Sequence, residues 1–200
     1  MKLIELVESA FATTYWREDA IARHFSSYIP ANSTVLDVGA GSGKLAQFLS
    51  SNKALQIQMV DVVDHNSTSL PLTLYDGIQL PFEDNSFDIC LLVFVLHHAA
   101  EPKQLLDEVT RVSKRRLIVV EDTPSNRFER FAWKRWDYFL NHGHHDDIAV
   151  AHEAVAPEEW RKIFADTGLA VIAEQQFRTK LPVLGMYQHT AFILDKSIVV

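Results

Sequence analysis

A glycine-rich stretch in the first quarter of the chain carries the clearest chemical signal. Residues 33–48 read S-T-V-L-D-V-G-A-G-S-G-K-L-A-Q-F, so an apolar run ends in Gly39, Gly41 and Gly43 before a predicted helix. A strand that turns through glycines into a helix presents backbone N–H groups and a positive helix end to a ligand. Glycine also permits positive φ and lets a ligand approach the backbone closely. The stretch therefore predicts a ligand-binding turn, with Asp37 two residues before the first glycine.

The G-x-G-x-G spacing excludes two common phosphate-binding loops. The dinucleotide pattern G-x-G-x-x-G requires glycine where this chain has Lys44, which disfavours a nicotinamide-dependent oxidoreductase. The P-loop pattern G-x-x-x-x-G-K-[ST] fails because Val38 replaces its first glycine and Leu45 replaces its Ser or Thr. A tight turn that binds no ligand remains an alternative for this stretch taken alone.

Acidic and histidine residues follow the other predicted strands where each strand ends. The apolar runs predict five strands, at residues 35–38, 57–60, 72–75, 87–94 and 117–120. The polar residues at or just beyond their ends are Asp61, Asp76, His97, His98 and Asp122. Strands that alternate with helices predict a doubly wound parallel sheet, in which ligands bind at the carboxyl ends of the strands. We therefore expect these side chains to gather near the glycine turn.

Helical periodicity and turn residues predict the remaining elements. In chain order these are helices over 1–28, a helix beginning at Pro102, an aromatic helix over 125–140, a His/Asp-rich loop over 141–147, a helix over 157–167, and strands over 169–177 and 191–195. The last two strands most simply form an antiparallel pair at the sheet edge.

Composition narrows the class of protein. Two hundred residues with 48% apolar and 22% charged content are typical of one soluble globular domain. The formal charge of −7 argues against a nucleic-acid surface, which is normally basic. The basic run at 114–116 is interpreted as a solvated cap on a helix end.

Cysteine usage and hydropathy indicate a cytoplasmic protein. The single cysteine, Cys90, lies inside an apolar run, which suits a reducing compartment. No stretch reaches the roughly 18 apolar residues of a membrane span, and acidic residues stand where a signal peptide has its apolar core. We expect no membrane partner, and the sequence leaves the oligomeric state open.

Three blocks of sequence together resemble the class I S-adenosylmethionine-dependent methyltransferases, in particular the small-molecule methyltransferases of type 11. The blocks are V-L-D-V-G-A-G-S-G-K, Y-D-G-I-Q-L-P-F-E-D-N-S-F-D-I-C-L-L-V-F-V-L-H-H and E-P-K-Q-L-L-D-E-V-T-R-V. Each alone is a modest match, whereas three in order at the right intervals are specific.

The resemblance implies S-adenosylmethionine as cofactor and methyl transfer to a small molecule. It also implies an α/β fold: a Rossmann-like, doubly wound, seven-stranded sheet, mostly parallel with an antiparallel C-terminal strand. Residues 1–200 would form one domain, with a helical substrate cap at 123–156 after the fifth strand.

The resemblance assigns cofactor contacts to matching positions. The methionine part would contact Asp37, Gly39, Ala40 and Gly41, and the carbonyl of Val93 would accept from its amino group. The ribose hydroxyls would donate to Asp61, with Val62 against the adenine. The adenine amino group would donate to Asp76, with the backbone N–H of Gly77 or Ile78 near the ring. Asp64 is a rival ribose ligand, but Asp61 is preferred because it directly ends an apolar strand.

The chain departs from the family pattern at two places. The interval between Asp61 and Leu72 is too short for the usual full helix, so we expect a loop and a more open adenine side. The family's K-P-G-G turn before the fifth strand is replaced by Lys114-Arg115-Arg116. We expect this second change to alter a turn away from the site.

Methyl transfer is an in-line displacement that needs positioning above all, and a base only if the acceptor arrives protonated. His97 and His98 follow the central strand, and alternation predicts that one faces the cleft while the other packs. His98 is predicted to be the cleft residue and the catalytic candidate. A flat or apolar acceptor would suit the aromatic cap and its loop, whose candidate substrate contacts are Trp136, Tyr138, His142 and His145.

The His/Asp-rich loop has the residue types of a metal site but not a known spacing. Its candidate ligands are His142, His144, His145, Asp146 and Asp147, and their intervals match no established metal motif. A polar active-site lid is therefore preferred, and no metal is predicted. A non-catalytic S-adenosylmethionine-binding or regulatory module on the same fold stays an alternative, because no clear base is evident.

Overall fold

A seven-stranded sheet forms the centre of the computed structural model, which describes residues 16–126, 129–130, 155–181 and 185–196. Its strands are β1 (Thr34–Val38), β2 (Gln56–Asp61), β3 (Leu72–Leu74), β4 (Phe87–Val93), β5 (Ser113–Asp122), β6 (Leu169–Leu181) and β7 (Gly185–Lys196). Its helices are α1 (Trp16–Ala22), α2 (Lys44–Asn52), α3 (Pro102–Val112) and α4 (Pro157–Asp166), with a 3-10 helix at Ser26–Tyr28.

The strand order is β3-β2-β1-β4-β5-β7-β6. Strands β1 to β5 pair in parallel, whereas β7 runs antiparallel to both of its neighbours, β5 and β6. The predicted fold class is therefore confirmed, including the antiparallel pair at the sheet edge. The order reverses between β1 and β4, and a crevice at the carboxyl ends of the strands opens at such a reversal.

Two apolar cores cover the two faces of the sheet. One face packs against α3 and α4 through residues such as Leu106 and Phe164, and the other packs against α1 and α2 through Ile21 and Leu49. Strand β4 contributes to both cores, since residues 89–92 are all nearly inaccessible to solvent. A central parallel strand covered on both faces has this continuous apolar pattern.

The prediction for the basic run at 114–116 was wrong. Helix α3 passes directly into β5 at Ser113, so these residues lie in the strand and cap no helix end. Lys114 pairs with Asp88 at 2.9 Å, and Arg116 pairs with Asp195 at 2.8 Å. Carboxylates from β4 and β7 thus compensate the cations, which is why the strand extends through them and no turn forms.

The shortened connection between β2 and β3 forms a loop, as predicted. Asn66 holds it together, because its Oδ1 accepts from the backbone N–H of Thr68 at 2.9 Å and its amide donates to the carbonyl of Leu70 at 2.7 Å. The predicted helices before residue 16, and most of the predicted aromatic helix and loop at 125–147, lie outside the described residues. In the part of the chain that is described, no helix is long and apolar enough to cross a bilayer.

Candidate functional site

The glycine turn after β1 is tied to the end of β2. The backbone N–H of Gly39 donates to the carbonyl of Val60 at 2.8 Å, and the N–H of Gly41 donates to Asp61 Oδ2 at 2.8 Å. Asp61 Oδ1 accepts from the N–H of Val62 at 2.7 Å. Oδ1 also accepts from the N–H of Val63 at 3.4 Å, so the second lone pair of Oδ2 is the acceptor capacity that Asp61 keeps for a ligand hydroxyl.

Two of the glycines are required for different reasons. Gly39 has φ of +68°, and an added Cβ would lie 2.6 Å from Cγ2 of Val95, so backbone and packing both demand glycine. Gly41 has φ of +53°, yet an added Cβ would meet nothing within 4 Å. The turn is therefore packed tightly at Gly39 and faces open space at Gly41, where a ligand has room to approach.

We expect Gly41→Ala to weaken ligand binding while costing only about 1–2 kcal/mol of stability, the price of a left-handed residue. Gly39→Ala adds a steric clash and should cost about 2–4 kcal/mol. Urea unfolding and ligand titration of both variants measure the two effects.

Gly168 supplies the matched control, because it follows α4 with φ of +72° and also has nothing within 4 Å of an added Cβ. Gly168→Ala should destabilise as Gly41→Ala does but leave binding unchanged. Equal binding by Gly41→Ala and the native chain would contradict a ligand at this turn.

Asp37 is the most unusual ionisable group near the turn. It is 2% exposed, and its Oδ2 has no hydrogen-bond partner. Burial, and next the negative charge of Asp61, raise the pKa of Asp37 to about 7. A buried carboxyl with an unsatisfied oxygen beside a second carboxylate is an electrostatic arrangement that a cation would relieve.

The loops after β2 and β3 meet at the open edge of the sheet. A Cβ on Gly77 would lie 3.3 Å from Cγ1 of Val62, and Val62 and Ile78 are 52% and 59% exposed. Exposed apolar side chains beside a polar site suit a flat apolar ligand group. The loops therefore bring predicted adenine contacts from two strands to one place.

Asp76 shapes the second of these loops. Its Oδ1 accepts from the N–H groups of Ile78 at 2.8 Å and Gln79 at 2.9 Å, and these bonds lower its pKa. Tyr75, which sequence reasoning did not single out, lies close to both acidic residues. Burial, and then the charges of Asp61 and Asp76, raise its pKa to about 12.

The rival ribose ligand, Asp64, has a local role. It is exposed, and its Oδ1 accepts from the N–H of Asn66 at 3.0 Å within the β2–β3 loop. Asp61, by contrast, bonds directly to the glycine turn. The geometry around Asp61 fits the preferred assignment, which stays a prediction.

The segment after β4 leaves the sheet through a strained residue. Val93 ends the strand half-buried, and Phe94 has φ of +60°, a conformation that is rare for a bulky side chain. The N–H of Phe94 donates to the carbonyl of Val120 at 2.8 Å, which holds the turn against β5. Strained backbone of this kind clusters at functional sites.

The two adjacent histidines differ in environment. His97 is buried, and its Nδ1 lies 2.5 Å from Oε2 of Glu121. Oε1 of Glu121 also accepts from the N–H groups of Val95 at 3.2 Å and Leu96 at 2.8 Å. His98 is half-buried, and its ring centroid lies 4.1 Å from that of His97. The role of His98 as the cleft residue stays a prediction.

Sequence reasoning missed a second histidine–carboxylate pair at the carboxyl ends of the parallel strands. Nδ1 of His189, on β7, lies 2.6 Å from Oδ1 of Asp122, and its Nε2 lies 2.6 Å from Oγ1 of Thr179. A histidine between Gln188 and Thr190, directly before the apolar run 191–194, was the available signal. The pairing was not visible because Asp122 and His189 are 67 residues apart.

The predicted substrate contacts Trp136, Tyr138, His142 and His145 lie outside the described residues, as do the candidate metal ligands of the loop. Among the residues that are described, no group of three or more His, Cys, Asp or Glu is placed to hold a metal ion. The site therefore consists of a glycine turn, two carboxyls at adjacent strand ends, exposed apolar side chains and nearby histidines. It can accommodate a ligand that is cationic near Asp37 and apolar near Val62.

Comparison with known proteins shows which proteins this sequence is similar to. Residues 36–119 match a family model described as a methyltransferase domain. The tRNA (carboxymethyluridine(34)-5-O)-methyltransferase of Schizosaccharomyces pombe is 26% identical over 113 residues, which cover 56% of this chain and 49% of that protein. The demethylmenaquinone methyltransferase of Thermotoga maritima is 29% identical over 117 residues, covering 53% of this chain and 50% of that protein.

A solved structure resembles the whole described fold. The S-adenosylmethionine-dependent methyltransferase of Archaeoglobus fulgidus superposes with a TM-score of 0.72, covering 98% of this chain and 100% of that one. At 15% identity the likeness is one of fold. The matched region spans about half the length of the two curated relatives.

Proposed function

We propose that this chain, which carries a class I S-adenosylmethionine-dependent methyltransferase domain, transfers the methyl group of that cofactor to a small-molecule acceptor. The observation that carries the proposal is the pair of carboxyls at the glycine turn. Asp37 has a buried oxygen without a partner, and Asp61 bonds to the turn itself. Residues 1–200 would form one domain with a substrate cap at 123–156.

The residues at the turn fit S-adenosylmethionine. Its methionine amino group and its sulfonium are cationic, which suits the unsatisfied oxygen of Asp37. The open space at Gly41 admits the ligand to the backbone, and Oδ2 of Asp61 has a lone pair for a ribose hydroxyl. Val62 and Ile78 offer apolar surface to the adenine. The further predicted contacts, Ala40, Asp76, Gly77 and Val93, complete the proposed site.

The bound cofactor supplies an electrophilic methyl carbon. The protein's contribution is to hold the acceptor in line with that carbon and to exclude water, which accounts for much of the acceleration of a displacement reaction. The turn at Phe94 and the segment held by Glu121 place His98 near the end of β4. Contact between His98 and the acceptor is part of the proposal.

The proposed acceptor is a small molecule because the chain is acidic. A formal charge of −7 disfavours binding to a polyanion. One relative is named for a tRNA substrate and another for demethylmenaquinone, so the acceptor class needs a direct test. We place the protein in the cytoplasm, since the buried free thiol of Cys90 suits a reducing compartment.

A labelled-methyl assay distinguishes the acceptor classes. Purified protein would be titrated with S-adenosylmethionine and then incubated with a metabolite extract or with total tRNA. We expect binding and label in a small molecule. Label only in RNA would overturn the acceptor assignment, and binding without transfer to either pool would favour a non-catalytic cofactor-binding module.

We expect Asp61→Asn to weaken S-adenosylmethionine binding by about 10-fold to 100-fold. The variant loses the charge that balances the sulfonium and one charge-assisted acceptor, which is typically worth about 1.5–3 kcal/mol. Isothermal titration measures the change. Asp64→Asn is the matched control, because Asp64 is an exposed carboxylate three residues away and should bind within about twofold of the native chain. If Asp64→Asn weakened S-adenosylmethionine binding more than Asp61→Asn, Asp64 would be assigned as the ribose ligand in place of Asp61.

A further inference from the structure

Three polar side chains on neighbouring strands form one hydrogen-bonded chain. Asp122 ends β5, His189 lies opposite it on β7, and Thr179 lies on β6. Oδ1 of Asp122 is 2.6 Å from Nδ1 of His189, and Nε2 of His189 is 2.6 Å from Oγ1 of Thr179. We name this hydrogen-bonded chain of Asp122, His189 and Thr179 the relay. The mechanism proposed so far does not use it.

The hydrogen-bond pattern fixes the direction of the relay. With an ionised Asp122, Nδ1 of His189 carries the proton and donates to the carboxylate, so Nε2 is an acceptor. The hydroxyl of Thr179 then donates to Nε2, and its oxygen lone pairs stay available to accept from another group. This is the order of an acid–base–hydroxyl triad, in which the carboxylate orients the imidazole and stabilises its protonated form.

The middle member of the relay is the most buried. The side chain of His189 is 8% exposed, that of Asp122 is 19% exposed, and Thr179 is half-buried. A proton entering at Thr179 would reach an imidazole shielded from solvent and paired with a carboxylate. Thr179 is the end whose oxygen keeps lone pairs for a donor, so the acceptor would meet the relay there.

The relay lies against the turn that follows β4. The ring of Phe94 is 5.1 Å from that of His189, and Phe94 directly follows Val93, a proposed cofactor contact. The ring centroid of Phe177 lies 5.2 Å from that of His189, and the ring of His24 stacks on Phe177 at 4.0 Å. The relay thus sits among aromatic rings, one of which directly follows a proposed cofactor contact in the chain.

We propose that the relay accepts the proton of a phenolic hydroxyl during methyl transfer. The inference rests on the proposed function and names the acceptor class. Aromatic neighbours suit a flat acceptor, and a phenol has a pKa of about 10, closer to that of imidazole than an aliphatic alcohol is. An amine that arrives neutral, or a thiolate, would need no such relay.

The step balances in atoms and electrons. A lone pair of the phenolic oxygen forms the bond to the methyl carbon, and the carbon–sulfur bond breaks with its electron pair retained by sulfur. The phenolic proton passes to Oγ1 of Thr179 while the hydroxyl proton of Thr179 passes to Nε2 of His189. Asp122 stabilises the resulting imidazolium, which later releases the proton to water.

The test uses the full chain, labelled S-adenosylmethionine and a panel of simple phenols with matched anilines and thiophenols. We expect methylation of phenols, and a kcat about 100-fold lower in Thr179→Val with cofactor affinity unchanged. Thr179→Ser should restore most of the rate because it restores the hydroxyl. Glu101→Ala, at an exposed position before α3, should retain the phenol rate within a few-fold.

A pH–rate profile separates a proton relay from a structural contact. Among the residues that the structure describes, the groups facing His189 are Asp122, Thr179, Phe94 and Phe177, with His24 stacked on Phe177 and Arg17 placed over Phe94. The rate of the native chain should depend on pH, and this dependence should be absent in Thr179→Val and retained in His24→Asn. Burial lowers the pKa of His24 below its ordinary value, so the His24→Asn variant shows whether that nearby ring contributes to the profile.

Three outcomes would overturn the inference. They are methylation of anilines or thiophenols alone, an unchanged phenol rate in Thr179→Val, or cofactor binding without turnover of any phenol. If the native chain did not bind S-adenosylmethionine, the proposed function would be overturned, and the inference with it. Thr179→Val keeps a β-branched side chain in a strand, so a folding failure is not expected to obscure the result.

Discussion

Asp37→Asn is expected to stabilise the free protein above pH 7 and to abolish tight binding of S-adenosylmethionine. The pKa of Asp37 is raised to about 7, mainly by burial and next by the charge of Asp61. Between its ordinary value of 3.8 and about 7, the folded chain holds a proton at Asp37 that the unfolded chain has lost. Native stability should therefore fall as pH rises through this window and level off above it.

The size of the effect follows from the pKa difference. At pH 8 the ionised carboxylate destabilises the free native protein by at most about 4 kcal/mol, and the asparagine variant lacks this cost. Urea unfolding at pH 4 and pH 8 measures it, since the two proteins should differ at pH 8 and converge at pH 4. An Asp37→Asn protein that is less stable than the native chain at pH 8 would contradict the argument.

The affinity for S-adenosylmethionine should rise with pH, whereas the stability of the free protein should fall. A cationic ligand group favours the carboxylate form of Asp37, so binding below pH 7 releases a proton. Native affinity for S-adenosylmethionine should rise by up to about tenfold per pH unit towards pH 7 and then level off. Asp37→Asn should bind about 100-fold more weakly and show no such pH dependence. Unchanged affinity in the variant would remove Asp37 from the site.

Asp88 provides a control of opposite sign on the neighbouring strand. Its pKa is lowered to about 2, first by the hydrogen bond from Lys114 and then by those from Thr34. Because this pKa is lowered, the ionised form of Asp88 stabilises the native protein at pH values above the ordinary pKa of 3.8. This stabilisation is lost as the pH falls towards 2. Asp88→Asn should therefore be less stable than the native chain at pH 8, with cofactor affinity unchanged.

The fold and the identity of the cofactor were predictable because their signals are local. An apolar strand that ends in an acidic residue or a glycine fixes both an element and its functional end, as at Val38 and Asp61. The alternation of strands and helices then predicted a doubly wound parallel sheet. The assignments of individual cofactor contacts remain predictions that the variants above test.

The errors and omissions have one physical origin, which is pairing between distant residues. The basic run at 114–116 was interpreted alone, whereas Asp88 and Asp195 stabilise it within a strand. The relay was not visible because Asp122 lies 67 residues from His189, and only the pairing of β5, β6 and β7 brings the three side chains together. Charge compensation across a sheet leaves no periodic trace in a single sequence.

Glu121 and Asp122 end the same strand and hold histidines on opposite faces of the sheet. The side chains of Glu121 and His97 are 1% and 5% exposed, and Glu121 also accepts from two backbone N–H groups. Removal of its carboxylate leaves the buried ring and both donors without their partner. We therefore expect Glu121→Ala to lower the free energy of unfolding by about 3–5 kcal/mol.

Urea unfolding tests this expectation against Glu101→Ala, an exposed position before α3 that should change stability by less than about 0.5 kcal/mol. Glu121→Gln keeps an acceptor oxygen and should lose less than Glu121→Ala. A double-mutant cycle with His97→Gln should give a coupling of about 0.5–3 kcal/mol, because the two side chains share one hydrogen bond. A loss below about 1 kcal/mol in Glu121→Ala would mean that the segment after β4 is held by packing alone. Thr179→Val, by contrast, should lose rate at a stability cost of only about 1 kcal/mol, so the two variants separate the face that supports the site from the face proposed to carry its chemistry.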